Sequence, residues 1–364
     1  MIVAFGTYDS IRHPRVGIII DGLRANGVDV TELNRPLGFS TSERVRMLRE
    51  PWRLPAFGFR LLSRWISLIK DARALRREGA EPSVVLVGYL GHFDVILARR
   101  VFRRSTIVLD HLIFAGDTAQ DRGTEGLRVR MLRWLDSAAI RSSDLVLVDT
   151  TEHEAMLPAG VESLVIPVGA REEWFVARPS NDELVPLPSV VFFGLFTPLQ
   201  GAPVIAAAIA QALDDGAKFT ATMIGTGQDW DEARSLLGDR QGVTWIDWVE
   251  ASELPKLVAG HDVGLGIFGT GPKALRVVPN KVYEAAAAGC AVLTSDTPPQ
   301  RALLGDGAIY APPGDARALA SALVKLTSSG AETKAARIRA REAAEQFRAA
   351  RVVAPLLTAL ARRA

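Results

Sequence analysis

The sequence has one cysteine, few lysines and no long apolar run. With Cys290 alone among its 364 residues, no disulfide can form within the chain. A fold held by packing alone suits a reducing compartment, which predicts a cytoplasmic protein. Apolar residues never run unbroken for about 18 positions, and Met1 is not followed by a basic region and cleavage site. The sequence therefore predicts neither a spanning helix nor a secretory leader.

The chain also has almost no net charge. It carries 43 Lys and Arg against 41 Asp and Glu, a formal charge of +2, which is too small a field to favour nucleic acid as a partner. The distribution is uneven, with 25 basic and 22 acidic residues in 1–180, 10 and 16 in 181–330, and 8 and 3 in 331–364. The middle of the chain is therefore acidic, and its end is basic.

Short β-branched runs alternate with glycine-containing turns and amphipathic stretches along most of the chain. This alternation is typical of parallel sheets covered by helices, and it occurs in two series, which predicts an α/β protein with two Rossmann-like domains. The predicted strands are Ile2–Phe5, Val28–Leu33, Val84–Gly88, Thr106–Leu109, Leu145–Asp149 and Ser163–Val168, then Val190–Gly194, Lys218–Gly225, Val243–Asp247, Val263–Ile267, Ala291–Ser295 and Ile309–Ala311.

A polar, proline-containing stretch separates the two series. We place a linker at 172–186, between a first domain at 1–171 and a second domain at 187–330. Residues 331–364 are rich in Ala, Arg and Glu, so they are predicted to be a helical segment that packs back on the first domain.

Residues 42–78 interrupt the alternation of the first series. They carry ten Arg or Lys and four Asp or Glu, interleaved with aromatic and aliphatic residues such as Trp52, Phe57 and Trp65. Such a segment lies on an anionic membrane surface, binds an anionic acceptor, or is a surface helix whose apolar stripe faces the core. The sequence leaves these alternatives open.

A cluster of cations follows the fourth strand of the second series. Lys273, Arg276 and Lys281 lie in a glycine-rich loop and at the start of a helix predicted near Asn280, where the helix dipole adds positive charge. Only 7 residues of the chain are lysines, and two of them fall here. Glu284, three residues after Lys281, would face the same side, where a carboxylate can accept both hydroxyls of a ribose. These residues favour a nucleotide-like anion, with a local ion pair as the alternative.

No cofactor is predicted. The only G-x-G-x-x-G match, Gly264–Gly269, falls at a predicted strand rather than between a strand and a helix, which argues against a nicotinamide or flavin. His92, Asp94, His111 and Asp117 match no strong metal-ligand spacing, so no metal site is predicted either.

Several motifs together resemble glycosyltransferase family 4, whose members are retaining enzymes of the GT-B fold. The resemblance covers about residues 1–330. In the second domain its motifs are Pro279-Asn280-Lys281-x-x-Glu284, Phe193-Gly194-x-x-x-Pro198-Leu199-Gln200-Gly201, Ile224-Gly225-Thr226-Gly227 and Asp247-Trp248. In the first domain they are Gly88-Tyr89-Leu90-Gly91-His92-Phe93-Asp94 and Asp110-His111-x5-Asp117-Thr118-x-x-Asp121-Arg122.

This resemblance implies two domains that face a central cleft and transfer a sugar, with retention, from a nucleoside diphosphate-sugar to a hydroxyl. Lys273 and Arg276 would stabilise the departing diphosphate, and Asp117 would act as acid/base or position the acceptor. The other donor-binding residues implied are Gly6, Gly194, Gln200, Gly225, Gly227, Trp248, Asn280, Lys281 and Glu284. The acceptor-side candidates are His92, Asp94, Asp110 and His111.

The sequence departs from the family pattern at two positions. Arg276 stands where the family has the first glutamate of its E-x7-E motif, and Gln200 stands where it has a lysine. A non-catalytic nucleotide-sugar binding protein and a GT-B sugar-nucleotide epimerase are therefore the alternatives. For an enzyme, the resemblance implies synthesis of a cell-surface glycan, polysaccharide or glycolipid at the inner face of the membrane, with a glycan, lipid-linked or small-molecule acceptor.

Overall fold

A computed structural model describes residues 1–10, 13–38, 54–121, 125–179 and 187–363. The chain divides into two compact units. Unit 1 comprises Met1–Asp149, Glu154–Ile166 and Val353–Ala364, and unit 2 comprises Thr150–His153 and Pro167–Val352. Each unit is built around its own parallel sheet, so the two Rossmann-like domains predicted from the sequence are confirmed.

Unit 1 contains a six-stranded sheet in the order β2-β1-β3-β4-β5-β6. The four central strands are short, apolar and almost wholly buried, as the strands of parallel sheets usually are, whereas the two edge strands are partly exposed. The order reverses between β1 and β3, so their carboxyl ends diverge into a crevice. The strands are β1 (Ile2–Gly6), β2 (Val30–Asn34), β3 (Val84–Val87), β4 (Thr106–Asp110), β5 (Leu145–Val148) and β6 (Ser163–Val165).

The helices of unit 1 cover this sheet with apolar faces, as in the core around Val3, Phe5, Val85, Phe102 and Ile107. These helices are α1 (Pro14–Ala25), α2 (Leu54–Arg77), α3 (Asp94–Val101), α4 (Ala115–Asp121) and α5 (Leu127–Arg141). The next helix along the chain, α6 (Thr151–Glu154), belongs to unit 2 as far as His153.

Unit 2 contains a second six-stranded sheet, in the order β12-β11-β10-β7-β8-β9. Counted from its first strand this is the 3-2-1-4-5-6 order of dinucleotide-binding folds, with the reversal between β7 and β10. The strands are β7 (Ser189–Phe193), β8 (Thr220–Ile224), β9 (Val243–Ile246), β10 (Val263–Leu265), β11 (Ala291–Ser295) and β12 (Ala308–Ala311).

Helices cover this second sheet, and the longer ones that begin at Ala202, Asn280, Ala316 and Gly330 are rich in alanine. They are α7 (Glu172–Val176), α8 (Ala202–Asp214), α9 (Trp230–Leu237), α10 (Leu254–Ala259), α11 (Asn280–Ala288), α12 (Pro298–Leu304), α13 (Ala316–Ser328), α14 (Gly330–Ala344) and α15 (Ala349–Val352), with 3-10 turns at Gly305–Gly307 and Glu345–Phe347. A last helix, α16 (Ala354–Ala361), belongs to unit 1.

The structure has a strand at each of the twelve predicted positions, but it treats the proposed linker and terminal segment differently. Within 172–186, α7 buries Trp174 and Phe175 in unit 2, and 180–186 lie outside the described residues. The buried aromatics are the reason, because they give this stretch a core to join. Residues 331–352 belong to unit 2, where Arg337 pairs with Asp262 at 3.2 Å, and only the last part of the terminal segment belongs to unit 1.

The basic segment forms α2 from Leu54 onward, and 42–53 lie outside the described residues. One stripe of α2, with Leu61, Leu68 and Ala72, is buried against the core of unit 1. For this stripe, the structure agrees with the alternative of a surface helix whose apolar stripe faces the core. A second stripe, Phe59, Leu62 and Ile66, is exposed. The membrane alternative therefore remains a prediction.

Among the residues that the structure describes, no helix combines the length and the apolar character that a membrane-spanning helix needs.

Candidate functional site

The carboxyl ends of β7 and β8 meet in unit 2, next to the reversal of strand order. Gly194 and Gly225 follow these strands with φ of +128° and +116°. A Cβ atom on Gly225 would overlap the carbonyl oxygen of Gly194. Only glycine combines this backbone conformation with this approach, so the two turns form a bare backbone edge. Such an edge lets a ligand approach the main chain closely.

Lys281 reaches this edge from the first turn of α11. Its side chain is 5% exposed, and its Nζ lies 3.7 Å from the centroid of the Phe192 ring. A Cβ on Gly194 would lie 3.3 Å from the same Nζ, which places the ammonium beside the turn after β7. Nζ has no hydrogen-bond partner in the part of the chain that the structure describes. Burial lowers the pKa of Lys281 well below its usual value, and Glu284 opposes this shift.

A buried ammonium without an acceptor is unfavourable unless something negative binds it. The positive end of α11, which begins at Asn280 as predicted, adds to the same potential. The edge formed by Gly194, Gly225 and Lys281 is therefore suited to an anion.

Glu284 lies one turn further along α11. Burial raises the pKa of Glu284 to about 7, Lys281 lowers it, and Glu173 and Arg171 act in opposite directions. The Glu284 carboxyl is therefore partly protonated near neutral pH. A ligand that donates two hydroxyl hydrogen bonds to it would favour the ionised carboxylate.

The loops after β7 and β10 also touch each other. The Phe268 amide donates to the Gln200 carbonyl at 2.9 Å, and a Cβ on Gly269 would overlap the Pro198 carbonyl oxygen. Gly227 lies just as close to the backbone of Phe196. Gln200 and Gly227 thus belong to the same cluster of strand-end loops as Gly194.

The remaining predicted donor-side residues lie in the loops around this cluster. Lys273 and Arg276 lie in one turn, where the Arg276 amide donates to the Lys273 carbonyl at 3.1 Å. The Thr150 hydroxyl donates to the Arg276 carbonyl at 2.9 Å and so holds this turn. Trp248 follows β9 and is 69% exposed, which leaves its ring in solvent.

Replacing Gly225 by alanine should destabilise unit 2 more than the same change at Gly216. Gly216 has φ of +90° and no atom within 4 Å of an added Cβ, so alanine adds only the strain of a left-handed backbone, about 1–2 kcal/mol. At Gly225 the contact with the Gly194 carbonyl adds an overpacking term, for a total of about 2–5 kcal/mol. Urea unfolding of the two variants measures the difference in free energy of unfolding. Equal losses of stability would show that the turns at Gly194 and Gly225 move apart at little cost.

Unit 1 has a cavity of about 410 Å³ at its own reversal of strand order, between the ends of β1 and β3. Its polar or partly polar lining residues are Thr7, Tyr8, Asp9, His13, Tyr89, His92 and Asp94, and its apolar lining residues are Leu37, Phe57, Leu61, Leu90, Phe93, Ala115, Met131, Leu132, Trp134 and Leu135. Ligand pockets are usually apolar with a few convergent polar groups, and this cavity has that composition.

Asp94 holds the turn after β1. It accepts hydrogen bonds from the Thr7 amide at 2.7 Å, the Thr7 hydroxyl at 2.8 Å and the Trp65 indole at 2.8 Å. Burial raises the pKa of Asp94, and these hydrogen bonds oppose the shift. A Cβ on Gly6 would lie 3.0 Å from Asp94 Oδ2, so Gly6 is needed for this close approach. Asp94 thus fixes the position of Thr7, another residue of the cavity lining.

His92, His111 and Asp136 form a buried cluster, with one ligand atom from each within 4.8 Å of the others. They are the side chains that could hold a metal in the described ranges. However, Asp136 already accepts from His92 Nε2 at 2.9 Å and from the amides of Ala115 and Gly116 at 2.9 and 3.0 Å. Burial alone would raise the pKa of Asp136, but these bonds hold it below its usual value. The geometry is that of a hydrogen-bonded anchor for α4.

Two acceptor-side candidates, Asp110 and His111, and the acid/base candidate Asp117 do not line the cavity. Asp110 is 2% exposed and accepts from Arg15 Nε at 2.7 Å, and Arg15 Nη1 donates to the Ile166 carbonyl at 2.9 Å. This pairing gives Asp110 a role in the core. Asp117 is half-buried in the first turn of α4, outside the cavity lining, and His111 lies behind His92.

Replacing Asp110 by alanine should lower the free energy of unfolding by about 3–5 kcal/mol, because it leaves the Arg15 charge buried without its carboxylate. Replacing both residues, as in Arg15→Met with Asp110→Leu, should recover most of that loss. Chemical denaturation of the parent and these variants measures this coupling. A single variant as stable as the parent would contradict the structural role.

Sequence reasoning missed three residues of these sites. Asp136 is the single acidic residue of α5 and lies on its buried face. An acid at such a position could have indicated a hydrogen-bonding role in the core. Thr7 and Trp65 are common core and turn residues, so their bonds to Asp94 depend on tertiary structure that no local pattern reveals.

Comparison with known proteins supports the description of unit 2. Residues 187–329 match the family described as "Glycosyl transferases group 1". No curated protein matches the chain.

Solved structures resemble the whole chain. Sucrose-phosphate synthase from Thermosynechococcus elongatus is 16% identical with a TM-score of 0.69, and the match covers 100% of this chain and 98% of that one. Anabaena Alr3699/HepE in complex with UDP-glucose is 15% identical with a TM-score of 0.65, covering 99% and 98%. The trehalose-6-phosphate synthase OtsA is 14% identical with a TM-score of 0.66, also covering 99% and 98%. The chain thus has the GT-B fold, and residues 187–329 of it match the glycosyl transferases group 1 family.

Proposed function

We propose that this protein transfers a sugar from a nucleoside diphosphate-sugar to a hydroxyl acceptor, with retention at the anomeric carbon. The observation that carries the proposal is the buried Lys281 ammonium, which has no partner among the described residues and lies beside the bare turns at Gly194 and Gly225. This anion-suited edge lies within the group 1 glycosyltransferase domain. The similar protein Anabaena Alr3699/HepE was solved with UDP and with UDP-glucose, which makes uridine nucleotides the first donors to test.

In the proposed reaction, the bond from the anomeric carbon to the diphosphate oxygen breaks, and a bond to the acceptor oxygen forms. The acceptor proton passes to the departing diphosphate or to a carboxylate, for which Asp117 remains the candidate. Lys281, Lys273 and Arg276 stabilise the charge that develops on the diphosphate. Glu284 accepts the ribose hydroxyls, Asn280 and Gln200 line the loops, and Trp248 offers its exposed ring to the donor. Metal and organic cofactors have no part in this scheme.

On the acceptor side, the cavity of unit 1 binds the acceptor, and His92 and Asp94 are among its polar lining residues. Gly6 permits the turn that Asp94 holds. We place the reaction in the synthesis of a cell-surface glycan, polysaccharide or glycolipid in the cytoplasm, at the inner face of the membrane.

The test is release of nucleoside diphosphate from a panel of UDP-, GDP- and ADP-sugars, with and without hydroxyl acceptors. The proposal expects release that depends on one donor class and increases with acceptor, and NMR of the product should show the anomeric configuration of the donor. Binding without release would favour a nucleotide-sugar binding protein. Isomerised donor sugar would favour an epimerase, and a product of opposite configuration would contradict retention.

A further inference from the structure

Unit 1 leaves large apolar side chains in solvent at the rim of its cavity. On α5, Leu127, Met131 and Trp134 are 78%, 60% and 65% exposed. Their spacing of four and three residues places them on one face of the helix. Met131 and Trp134 also line the cavity, so this α5 stripe is continuous with the cavity mouth. The opposite face of α5 is buried and already anchors the helix.

The charge around this stripe has one sign. Arg128, Arg130 and Arg133 are exposed on α5, and residues 127–135 contain no acidic residue. Arginines extend their charged heads toward lipid headgroups while their stems cover apolar surface. An exposed Trp, Leu and Met stripe flanked by arginines has the composition of a helix that lies in an anionic lipid interface.

Helix α2 repeats this arrangement. Phe59, Leu62 and Ile66 are 77%, 55% and 47% exposed, on the side of the helix away from its buried stripe. Residues 54–70 contain Arg60, Arg64 and Lys70 and no acidic residue. Since Phe57 and Leu61 of the same helix line the cavity, α2 and α5 border one opening.

We propose that the cavity of unit 1 takes the hydrocarbon chain of a membrane lipid acceptor, and that the α5 and α2 stripes seat unit 1 on an anionic bilayer. This inference rests on the proposed function, because it takes the cavity as the acceptor site. The apolar residues that line most of the cavity are suited to a chain, and the polar lining residues Asp9, His13, His92 and Asp94 are suited to a hydroxyl-bearing headgroup. A sugar acceptor alone would leave the apolar lining unmatched, and an apolar protein partner would not account for the purely basic charge of residues 54–70 and 127–135.

The membrane contact is tested by co-sedimentation with vesicles of phosphatidylcholine, alone or mixed with phosphatidylglycerol. The Phe59→Ser, Leu62→Ser, Leu127→Ser triple variant changes exposed side chains outside the cavity lining. It should bind the mixed vesicles about tenfold more weakly or worse. The Arg128→Gln, Arg130→Gln variant should lose the preference for phosphatidylglycerol. Val176→Ser, at an apolar residue of unit 2 that is 75% exposed, is the matched control and should bind like the parent.

The cavity is tested separately with decyl maltoside below its micelle concentration. Calorimetry should detect binding to the parent and to the triple serine variant, and about tenfold weaker binding to Leu132→Trp, which fills the half-buried lining. Vesicle binding that is absent, or equal in all variants, would overturn the membrane contact. A stable dimer dispersed by the serine variant would also overturn it. Equal affinity of the parent and the Leu132→Trp variant for decyl maltoside would overturn the cavity assignment. Neither assay contains a nucleotide-sugar donor, so both results are independent of whether the protein transfers a sugar.

Discussion

Replacing Lys281 by methionine is expected to slow release of nucleoside diphosphate about 10²–10³-fold, the usual effect of removing one preorganised group that stabilises a developing negative charge. The Lys281 ammonium is buried at the turn after β7 and has no protein acceptor among the described residues. An anionic diphosphate would supply that acceptor. Methionine keeps the length and packing of the side chain but removes the charge.

The same variant should unfold at an equal or higher urea concentration than the parent. Burial already lowers the pKa of Lys281, which means that the folded state disfavours the charged form. Removing the charge relieves that penalty. Slower turnover without lost stability would separate a functional lysine from a structural one, because a structural lysine would lose both together. Lys256→Met, an exposed lysine on α10, is the control and should change neither quantity.

Replacing Glu284 by glutamine should weaken nucleoside diphosphate binding about 10–100-fold at pH 8, the effect of losing hydrogen bonds to a charged acceptor. In the parent, the pKa of Glu284 is raised to about 7. Binding to the ionised carboxylate should therefore be constant above that pH and weaken about tenfold per pH unit below it. The glutamine variant lacks this dependence, so the two proteins should converge in acid. Calorimetric titrations across this pH range measure both effects.

Stability of the ligand-free protein should change in the opposite sense. An acid whose pKa is raised by folding is ionised in the unfolded chain before it is ionised in the folded one, so it destabilises the fold progressively from the usual glutamate pKa up to about 7. The Glu284→Gln variant should thus gain stability relative to the parent as pH rises through that window, and the difference should be constant outside it. Glu253→Gln, at an exposed site, is the control. A parent whose affinity does not vary with pH would contradict the assigned role.

The strand pattern was predictable because it is local. Most strands of both sheets are short apolar runs followed by a turn residue, and tertiary contacts moved their ends by at most three residues, as with Val28–Leu33 against Val30–Asn34. The start of α11 after Pro279 was predictable for the same reason. The boundaries of the units were harder to predict. The sequence around α7 is polar, but the buried Trp174 and Phe175 join α7 to unit 2.

The sites were predictable only in part. Lys281 was indicated by the cations at a helix start, which is a local feature, whereas Gly194 and Gly225 were indicated by the resemblance to glycosyltransferase family 4. The partner of Asp110 was not predictable, because Arg15 comes from a distant helix and the pair forms only in the folded unit. The same holds for the cavity of unit 1, which draws its lining from several helices and loops.

The central claim is that a nucleoside diphosphate binds the strand-end loops of unit 2. Amide hydrogen exchange with and without UDP tests it most directly, followed by GDP and ADP. Our account predicts slower exchange at residues 194–201, 225–228 and 280–284, and no comparable change in the sheet of unit 1. Protection confined to other parts of the chain, or no protection by any of the three nucleotides, would contradict it.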